Sequence, residues 1–568
     1  MKNFWKFNKE KIFLLLVVLI GAFFRFYDIN WDQNQHLHPD ERFLTMVGNA
    51  MITPDSFSDF LNPNISTYNP TNVGYAFFVY GTFPLLINKT LAILIANNTY
   101  NNLTIQGRFL SSLADLLVII FLFKTISLLE KKYFIPPEIK YLTSFFYAIT
   151  VLSIQLSHFF TVDTFLNLFM FISFYFALKY TLQDKLKYVV SCSIFFGFAL
   201  ASKVSAIFIL PLIIFLLLQI TSLKKINIKK IICLRLLLSL IIFLTVSYLA
   251  LRITDPYVFS SGNFFDFSIN KTFTANLQSL KAVEKQDTWY PPSIEWISKS
   301  PVIFSLYNLA LYGTGIPYFI CIIIGMTYIL FKKRNVLFIV ILGWIIAFFL
   351  YQSVQFVKVM RYFIFLYPFF SIFAAFGFYQ LESFLKNHLK KWSLLLMFLG
   401  IICILIWPLA FFSIYTKDHS RVNASEWIYQ RIPNNSVILT EYWDDSLPLN
   451  IENLNNKTFR NIQLPVFDQD TQEKWQKMND FLFQGDYLIL SSNRGWGTIP
   501  TVPKKYPRMT KFYKNLFLDN LSYKEIAEFS SYPSLKYLGI PLEFNDDLAD
   551  ESFTVFDHPK VLIFKKEQ

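Results

Sequence analysis

The chain has 568 residues, is 54% hydrophobic and only 16% charged, which is too apolar for a soluble multidomain protein. The formal net charge is +13, but the basic residues form no cluster interleaved with base-reading aromatics, so a nucleic-acid partner is not expected. The four cysteines, Cys192, Cys233, Cys321 and Cys403, lie far apart in apolar runs and offer neither metal-ligand spacing nor a disulfide framework.

Residues 1–11 carry four Lys and one Glu before an apolar stretch over 12–24. No small-x-small cleavage site follows, so an uncleaved first transmembrane helix with a cytoplasmic N-terminus is expected. Further apolar runs of about 18 to 25 residues, enough to span a bilayer as helices, give segments at 11–27, 106–130, 139–157, 162–180, 187–202, 204–221, 231–252, 302–331, 335–352, 361–381 and 392–415. The short basic loops are Lys131-Lys132, Lys185 with Lys187, Lys224 to Lys230, Lys332-Lys333-Arg334, and Lys386 to Lys391. The positive-inside rule assigns these to the cytoplasm. The turns at 158–163, 202–203 and 352–361, the loops 28–105 and 253–301, and the C-terminal segment then fall on the outer side. Residues 73–96 are apolar enough to cross, but doing so would invert every later loop. Gly81, Pro84, Asn88 and Lys89 also burden a membrane helix there. A juxtamembrane, partly embedded helix pair is expected instead.

After Tyr415 the composition becomes mixed. Asn423-Ala-Ser-Glu-Trp-Ile-Tyr reads as a helix stopped by Pro433, while Ser436-Val-Ile-Leu-Thr, Tyr487-Leu-Ile-Leu and Lys560-Val-Leu-Ile-Phe read as buried strands. The expected architecture is an all-α polytopic bundle over 1–415 followed by an extracytoplasmic α/β domain over 416–568.

The residues fit for chemistry gather on the outer side. Gln35-His36-Leu37-His38-Pro39-Asp40-Glu41-Arg42 follows the first span. Pro39 suits the first turn of a helix, on which Asp40 and Glu41 would point about 100° apart. One carboxylate can face a cavity while the other orients a partner. An ionised Asp can act as a base toward a hydroxyl or hold a divalent cation; a capping acidic turn explains the same pair. His36 and His38 are weak metal-ligand candidates, and plain loop histidines are the stronger reading. Asp163 opens an apolar span, where a charge is costly, and can assist Asp40 or simply meet the helix dipole. Asp115 is an intramembrane acid that can hydrogen-bond between helices. Lys203 and Arg361 sit at the outer ends of spans. Each can reach a phosphate at the membrane surface, with snorkelling to the headgroups as the competing account. Trp289-Tyr290-Pro291-Pro292 and Trp296 in the 253–301 loop suit sugar stacking or interfacial anchoring.

The order of these parts resembles the C-type glycosyltransferase superfold and, within it, glycosyltransferase family 39, the protein O-mannosyltransferase-like enzymes. The resemblance is most specific in His38-Pro-Asp-Glu-Arg42, Ser157-His-Phe-Phe-Thr-Val-Asp163, Ala201-Ser-Lys203, Met360-Arg-Tyr362 and Tyr367-Pro368. It extends to Ser420-Arg-Val-Asn-Ala-Ser-Glu-Trp-Ile, Glu441-Tyr-Trp-Asp-Asp-Ser-Leu-Pro and Glu551-Ser-Phe-Thr-Val-Phe-Asp-His-Pro, which are similar to its prokaryotic branch. It implies that Asp40 is the catalytic carboxylate, with Glu41 beside it; Asp163 is the further carboxylate expected to assist. It also implies a polyprenyl-phosphate sugar donor whose phosphate meets Lys203 and Arg361, to which Arg42 is added as a candidate, and the acceptor hydroxyl is expected on a protein, lipid or glycan. No cofactor is certain, and a divalent metal ion remains open. The carbohydrate-binding insert of the eukaryotic mannosyltransferases is missing, which leaves a protein acceptor in question. A transporter or flippase of lipid-linked sugars, or a non-catalytic scaffold, are the competing classes. The first would call for internal repeats, which the sequence does not show. The second would scatter Asp40, Asp163, Lys203 and Arg361 over separate faces.

Overall fold

The computed structural model describes residues 2–567 except 220–228, 286, 287, 289, 453, 455 and 456. Most of the basic loop from Lys224 to Lys230, and Trp289, therefore lie outside the described residues. The chain is an all-α bundle with a small C-terminal sheet, and its hydropathy makes it a multi-pass membrane protein. Among the described residues, seven helices are long and apolar enough to cross a bilayer. The pair Glu138–Ala148 and Val151–Ser157, bent by 54°, makes an eighth if counted as one span. The remaining expected segments fall on the 25-residue first helix α1 (Lys2–Phe26), on the 15-residue helix Leu186–Leu200, and on residues 204–219.

Two segments differ from expectation. Residues 73–96 hold one helix, Phe83–Leu94, of 12 residues. It is about 18 Å long at 1.5 Å per residue, short of the roughly 30 Å hydrocarbon core. Residues 302–331 are not one straight helix. Gly315 (φ 83°) separates a short helical stretch from Ile316–Tyr328, and Val302 (φ 64°) separates it from the preceding loop. Hydropathy is continuous across Gly315, so apolarity alone does not reveal the break.

Polar residues inside the bundle are cross-linked rather than exposed to lipid. Arg25 Nε donates to Asp115 Oδ2 at 2.7 Å, Tyr147 Oη donates to Asp115 Oδ1 at 2.5 Å, and Arg25 Nη1 donates to the Ala148 carbonyl at 2.8 Å. Asp115 thus ties three helices together, as expected for a buried charge that must be paired. Two of the basic loops meet, Lys333 Nζ donating to the Tyr133 carbonyl at 3.3 Å.

The C-terminal sheet has strand order β2-β1-β3-β5-β4, with β1 (Val437–Glu441), β2 (Arg460–Leu464), β3 (Tyr487–Leu490), β4 (Tyr523–Phe529) and β5 (Val561–Lys566). β1 pairs in parallel with β2 and β3, while β5 is antiparallel to β3 and β4. Helix Ser420–Arg431 packs on the sheet through Ala424 and Ile428; Gln472–Gln484 and Pro507–Phe517 contribute Met478, Met509 and Phe512 to the other apolar layer. The segment after β4 returns to the bundle. Ser534 N donates to the Ala410 carbonyl at 3.0 Å, Asp550 N to Asn308 Oδ1 at 2.7 Å, and Gln155 Nε2 to Asp557 Oδ2 at 3.0 Å.

Candidate active site

Asp40 lies on the first turn of α2 (Pro39–Ala50), where Pro39 stands at the helix start and His38 Nδ1 accepts from Glu41 N at 3.3 Å. Its carboxylate is in direct contact with the guanidinium of Arg361. Burial alone would push Asp40 upward, but Arg361 foremost, with smaller help from nearby Tyr80, outweighs it and holds its carboxyl well below the usual carboxylate range.

Arg361 opens into a cavity of about 210 Å³ that is also lined by Asp163, Lys203 and Tyr362. Lys203 Nζ donates to Asp163 Oδ1 at 2.7 Å and lies 5.1 Å from the Tyr362 ring centre, against which the Arg361 guanidinium also packs at 5.9 Å. Leu166, Phe208, Phe348 and Phe365 supply the apolar part of the wall. The cavity therefore pairs two cations with an aliphatic and aromatic corridor among membrane helices. That combination suits a phosphate attached to a hydrocarbon chain. Of the four residues expected to converge, Asp163, Lys203 and Arg361 line this cavity, and Asp40 joins it through Arg361.

Local structure explains the meeting. Lys203 is in the turn that follows Leu200. Gly81 N donates to the Ser202 carbonyl at 3.0 Å and Phe83 N to the Ala201 carbonyl at 3.1 Å. A Cβ on Gly81 would fall 2.0 Å from the Ala201 carbonyl oxygen, so only glycine permits the approach that sets Tyr80 beside the site. On the Arg361 side, Met360 N donates to Asp550 Oδ2 at 2.6 Å. The returning C-terminal segment thus fixes the backbone next to Arg361. Burial pushes Asp550 up to about 6.

Glu41 does not share the role of Asp40. Its carboxylate is fully buried and bidentate with Arg108, at 2.8 Å from Nε and 2.5 Å from Nη2, and it accepts from Phe160 N at 2.7 Å. Arg108 completes its fork with Asp32 at 2.7 and 3.0 Å and lies 4.7 Å from the Trp31 ring centre. Glu41 therefore positions α2 against the helix Tyr100–Tyr133 and the 158–163 turn. Arg42 does not line the Lys203 cavity and meets Asp445 of the C-terminal domain at 3.1 Å. Both ring nitrogens of His36 are engaged, by Asn101 at 2.9 Å and Thr104 at 3.0 Å. His38 is buried between Phe159 and Phe556, and burial lowers it to about 4, so it is neutral at neutral pH. Among the described residues no three His, Cys, Asp or Glu side chains converge as a metal-binding group. Tyr80, Arg108 and Asp32 are the site residues that the sequence did not signal.

Residues 73–249 match the family model described as dolichyl-phosphate-mannose-protein mannosyltransferase. This stretch holds Tyr80, Asp163 and Lys203 but neither Asp40 nor Arg361. No curated protein matches the sequence. Among solved structures, the chain is similar to the oligosaccharyltransferase of Archaeoglobus fulgidus tethered with an acceptor peptide containing the NVT sequon (12% identity, 98% of this chain and 88% of that chain, TM-score 0.53). It is likewise similar to the same archaeal enzyme, AglB, in complex with an inhibitory peptide and a dolichol-phosphate (12%, 100% and 89%, TM-score 0.52). ArnT from Cupriavidus metallidurans also matches (11%, 98% of each chain, TM-score 0.45). The resemblance is borne out at the level of family model and fold: residues 73–249, which include the motifs at 157–163 and 201–203, match the mannosyltransferase family model, and the chain shares the fold of the archaeal oligosaccharyltransferase.

Proposed function

We propose that this protein is a membrane glycosyltransferase that moves a sugar from a polyprenyl-phosphate donor to an acceptor hydroxyl at the outer face of the plasma membrane. The observation that carries the reading is the position of Arg361, which touches the Asp40 carboxylate on one side and lines the Lys203 cavity on the other. The family-model match over 73–249 and the dolichol-phosphate bound by the archaeal relative support a donor of this class. The excess of Lys and Arg in the short loops at 131–132, 185–187, 332–334 and 386–391 supports a cytoplasmic N-terminus and an outward-facing site.

In this mechanism the donor phosphate seats against Lys203 and Arg361, its hydrocarbon chain along Phe208, Phe348 and Phe365. Asp163 holds Lys203 in place. Arg361 shifts its charge from Asp40 to the phosphate, which leaves Asp40 more basic and free to orient the acceptor hydroxyl. The hydroxyl oxygen attacks the anomeric carbon with inversion, its proton passes to Asp40, and the electron pair of the breaking bond leaves with the phosphate. Positioning and fixed positive charge carry most of the acceleration. Both carboxylates are already paired with side-chain cations, so no step is assigned to a divalent ion.

The test is reconstitution of the purified chain with a panel of polyprenyl-phosphate sugars, following release of polyprenyl phosphate. Asp40→Asn should lower release by about 10²-fold or more while yield and melting temperature hold. Full activity in that variant would sink the assignment.

A further inference from the structure

A second cleft opens on the other flank of Asp40. Pro39 and Arg42, its neighbours on the first turn of α2, line a cavity of about 390 Å³ together with Tyr442, Trp443, Asp445 and Arg494. Tyr290 and Gln463 belong both to this cleft and to a larger one of about 700 Å³ that runs along β2 to Lys474 and Lys477. The two form one groove leading from the first turn of α2, at Pro39 and Arg42, across the C-terminal domain.

The wall chemistry is specific. Tyr442 is 46% exposed. Trp443 has φ +79°, a conformation that a bulky residue keeps only when its surroundings impose it. Arg494 Nη1 donates to its carbonyl at 2.7 Å, and Tyr290 and Tyr442 pack edge-on against its ring at 5.4 and 5.1 Å. Beneath these rings runs a line of planar charged groups. Arg42 meets Asp445 at 3.1 Å, Arg421 meets Asp445 at 2.9 Å and Asp444 at 2.7 Å, and Arg494 meets Glu551 at 2.6 Å. Each of these cations is matched by a carboxylate, as in the Lys203 cavity, but here the pairs stand beside aromatic faces rather than an apolar corridor among membrane helices. The groove offers aromatic faces beside alternating donors and acceptors, the surface that a neutral sugar presents in complement: apolar C–H faces edged with hydroxyls.

We propose that this groove binds a neutral oligosaccharide, and that the acceptor of the transfer reaction is the glycan end delivered through it to Asp40. The acceptor role rests on the function proposed above; the saccharide site does not. The larger, Lys474-lined part would hold sugar units further from the reacting end.

The test uses the full chain in lipid nanodiscs. Saturation-transfer NMR is recorded with chitotetraose, mannotetraose and maltotetraose, and with a serine- and threonine-rich heptapeptide. Stabilisation by undecaprenyl phosphate is measured in parallel by thermal shift. At least one tetrasaccharide should bind, with affinity falling about tenfold in both Tyr442→Ala and Trp443→Ala, while the undecaprenyl-phosphate response stays unchanged. The exposed Tyr442 guards against loss of fold as the explanation. Absence of binding by all three sugars, sugar binding indifferent to Tyr442→Ala, or peptide binding that depends on these two residues would each overturn the proposal. Saccharide binding without any undecaprenyl-phosphate response would uphold the groove and overturn the donor assignment instead.

Discussion

Asp40 and Arg361 stand 321 positions apart in the chain and meet as a direct carboxylate–guanidinium pair, one on the first turn of α2 and the other at the start of a late span. The pair is a lock on Asp40 as well as a contact. A carboxylate held this low is a poor base; in the proposed reaction, a phosphate that draws Arg361 away would restore its basicity.

That exchange predicts a pH effect with a definite sign. Asp40 lies below the ordinary value of 3.8 in the donor-free protein, so the acid limb of kcat/KM should not appear above about pH 4. In Arg361→Ala, burial acts without its main opponent, and the limb should move upward by about 1 to 3 pH units, with a lower plateau. A profile that keeps its wild-type shape in this variant would count against the pairing as a control on Asp40. Lys203→Gln should act differently: it should raise the KM for donor about tenfold, or about 1.4 kcal/mol, with no change in the acid limb.

Glu41 should separate from Asp40 in the kind of damage it causes. Glu41→Gln leaves Arg108 buried with one full carboxylate partner in place of two. Breaking a buried charge pair costs about 3 to 5 kcal/mol. The expected result is a reduced yield and melting temperature, with activity per folded molecule largely kept. Thermal shift and active-site titration measured together check it. A stable but inactive Glu41→Gln would instead return this residue to the chemistry.

The C-terminal domain carries its own pH signature. His558 is fully buried between Asp557 Oδ1 at 2.5 Å and Asp546 Oδ2 at 2.9 Å, while Asp557 also receives Gln155 and Tyr415 from the bundle. Burial opposes its charge, but the two carboxylates prevail and raise it to about 10 from 6.5. A raised folded-state value means that the stabilisation is complete below about pH 6.5 and is lost as pH rises toward 10. Domain docking should weaken over that window, measured as protease sensitivity of the 533–558 segment. His558→Gln should flatten the dependence.

What the sequence disclosed and what it withheld follow from the same physics. Asp40, Asp163, Lys203 and Arg361 were legible because a charge beside an apolar run is costly and stands out. Tyr80 was not, since an aromatic in an apolar stretch carries no such signal. Arg108 and Asp32 were hidden because their purpose is a contact 76 residues apart in sequence. In the sheet, the buried strands β1, β3 and β5 were visible as apolar runs. Arg460-Asn-Ile-Gln-Leu and Tyr523-Lys-Glu-Ile-Ala-Glu-Phe were missed: they are the edge strands β2 and β4 and bury little. Arg42 was misplaced because its partner Asp445 belongs to a domain whose docking the sequence does not encode locally.

Gly81 offers the sharpest test of how the cavity is assembled. Its missing Cβ lets residues 81–83 bond the carbonyls of Ala201 and Ser202, one residue before Lys203. Gly81→Ala would place a carbon 2.0 Å from a backbone oxygen, a clash that no side-chain rotation relieves. The segment carrying Tyr80 must then move off the Lys203 turn, taking Tyr80 away from Asp40. Displacements of about 1 Å at a reacting centre cost on the order of 10²-fold in rate. The variant should thus lose transfer by that order and weaken donor binding together, because both the Asp40 partner and the Lys203 turn shift. Tyr80→Phe removes only the hydroxyl and should leave donor KM unchanged while lowering kcat. If Gly81→Ala retained wild-type kcat and KM, the close approach of these two turns would not be what builds the site.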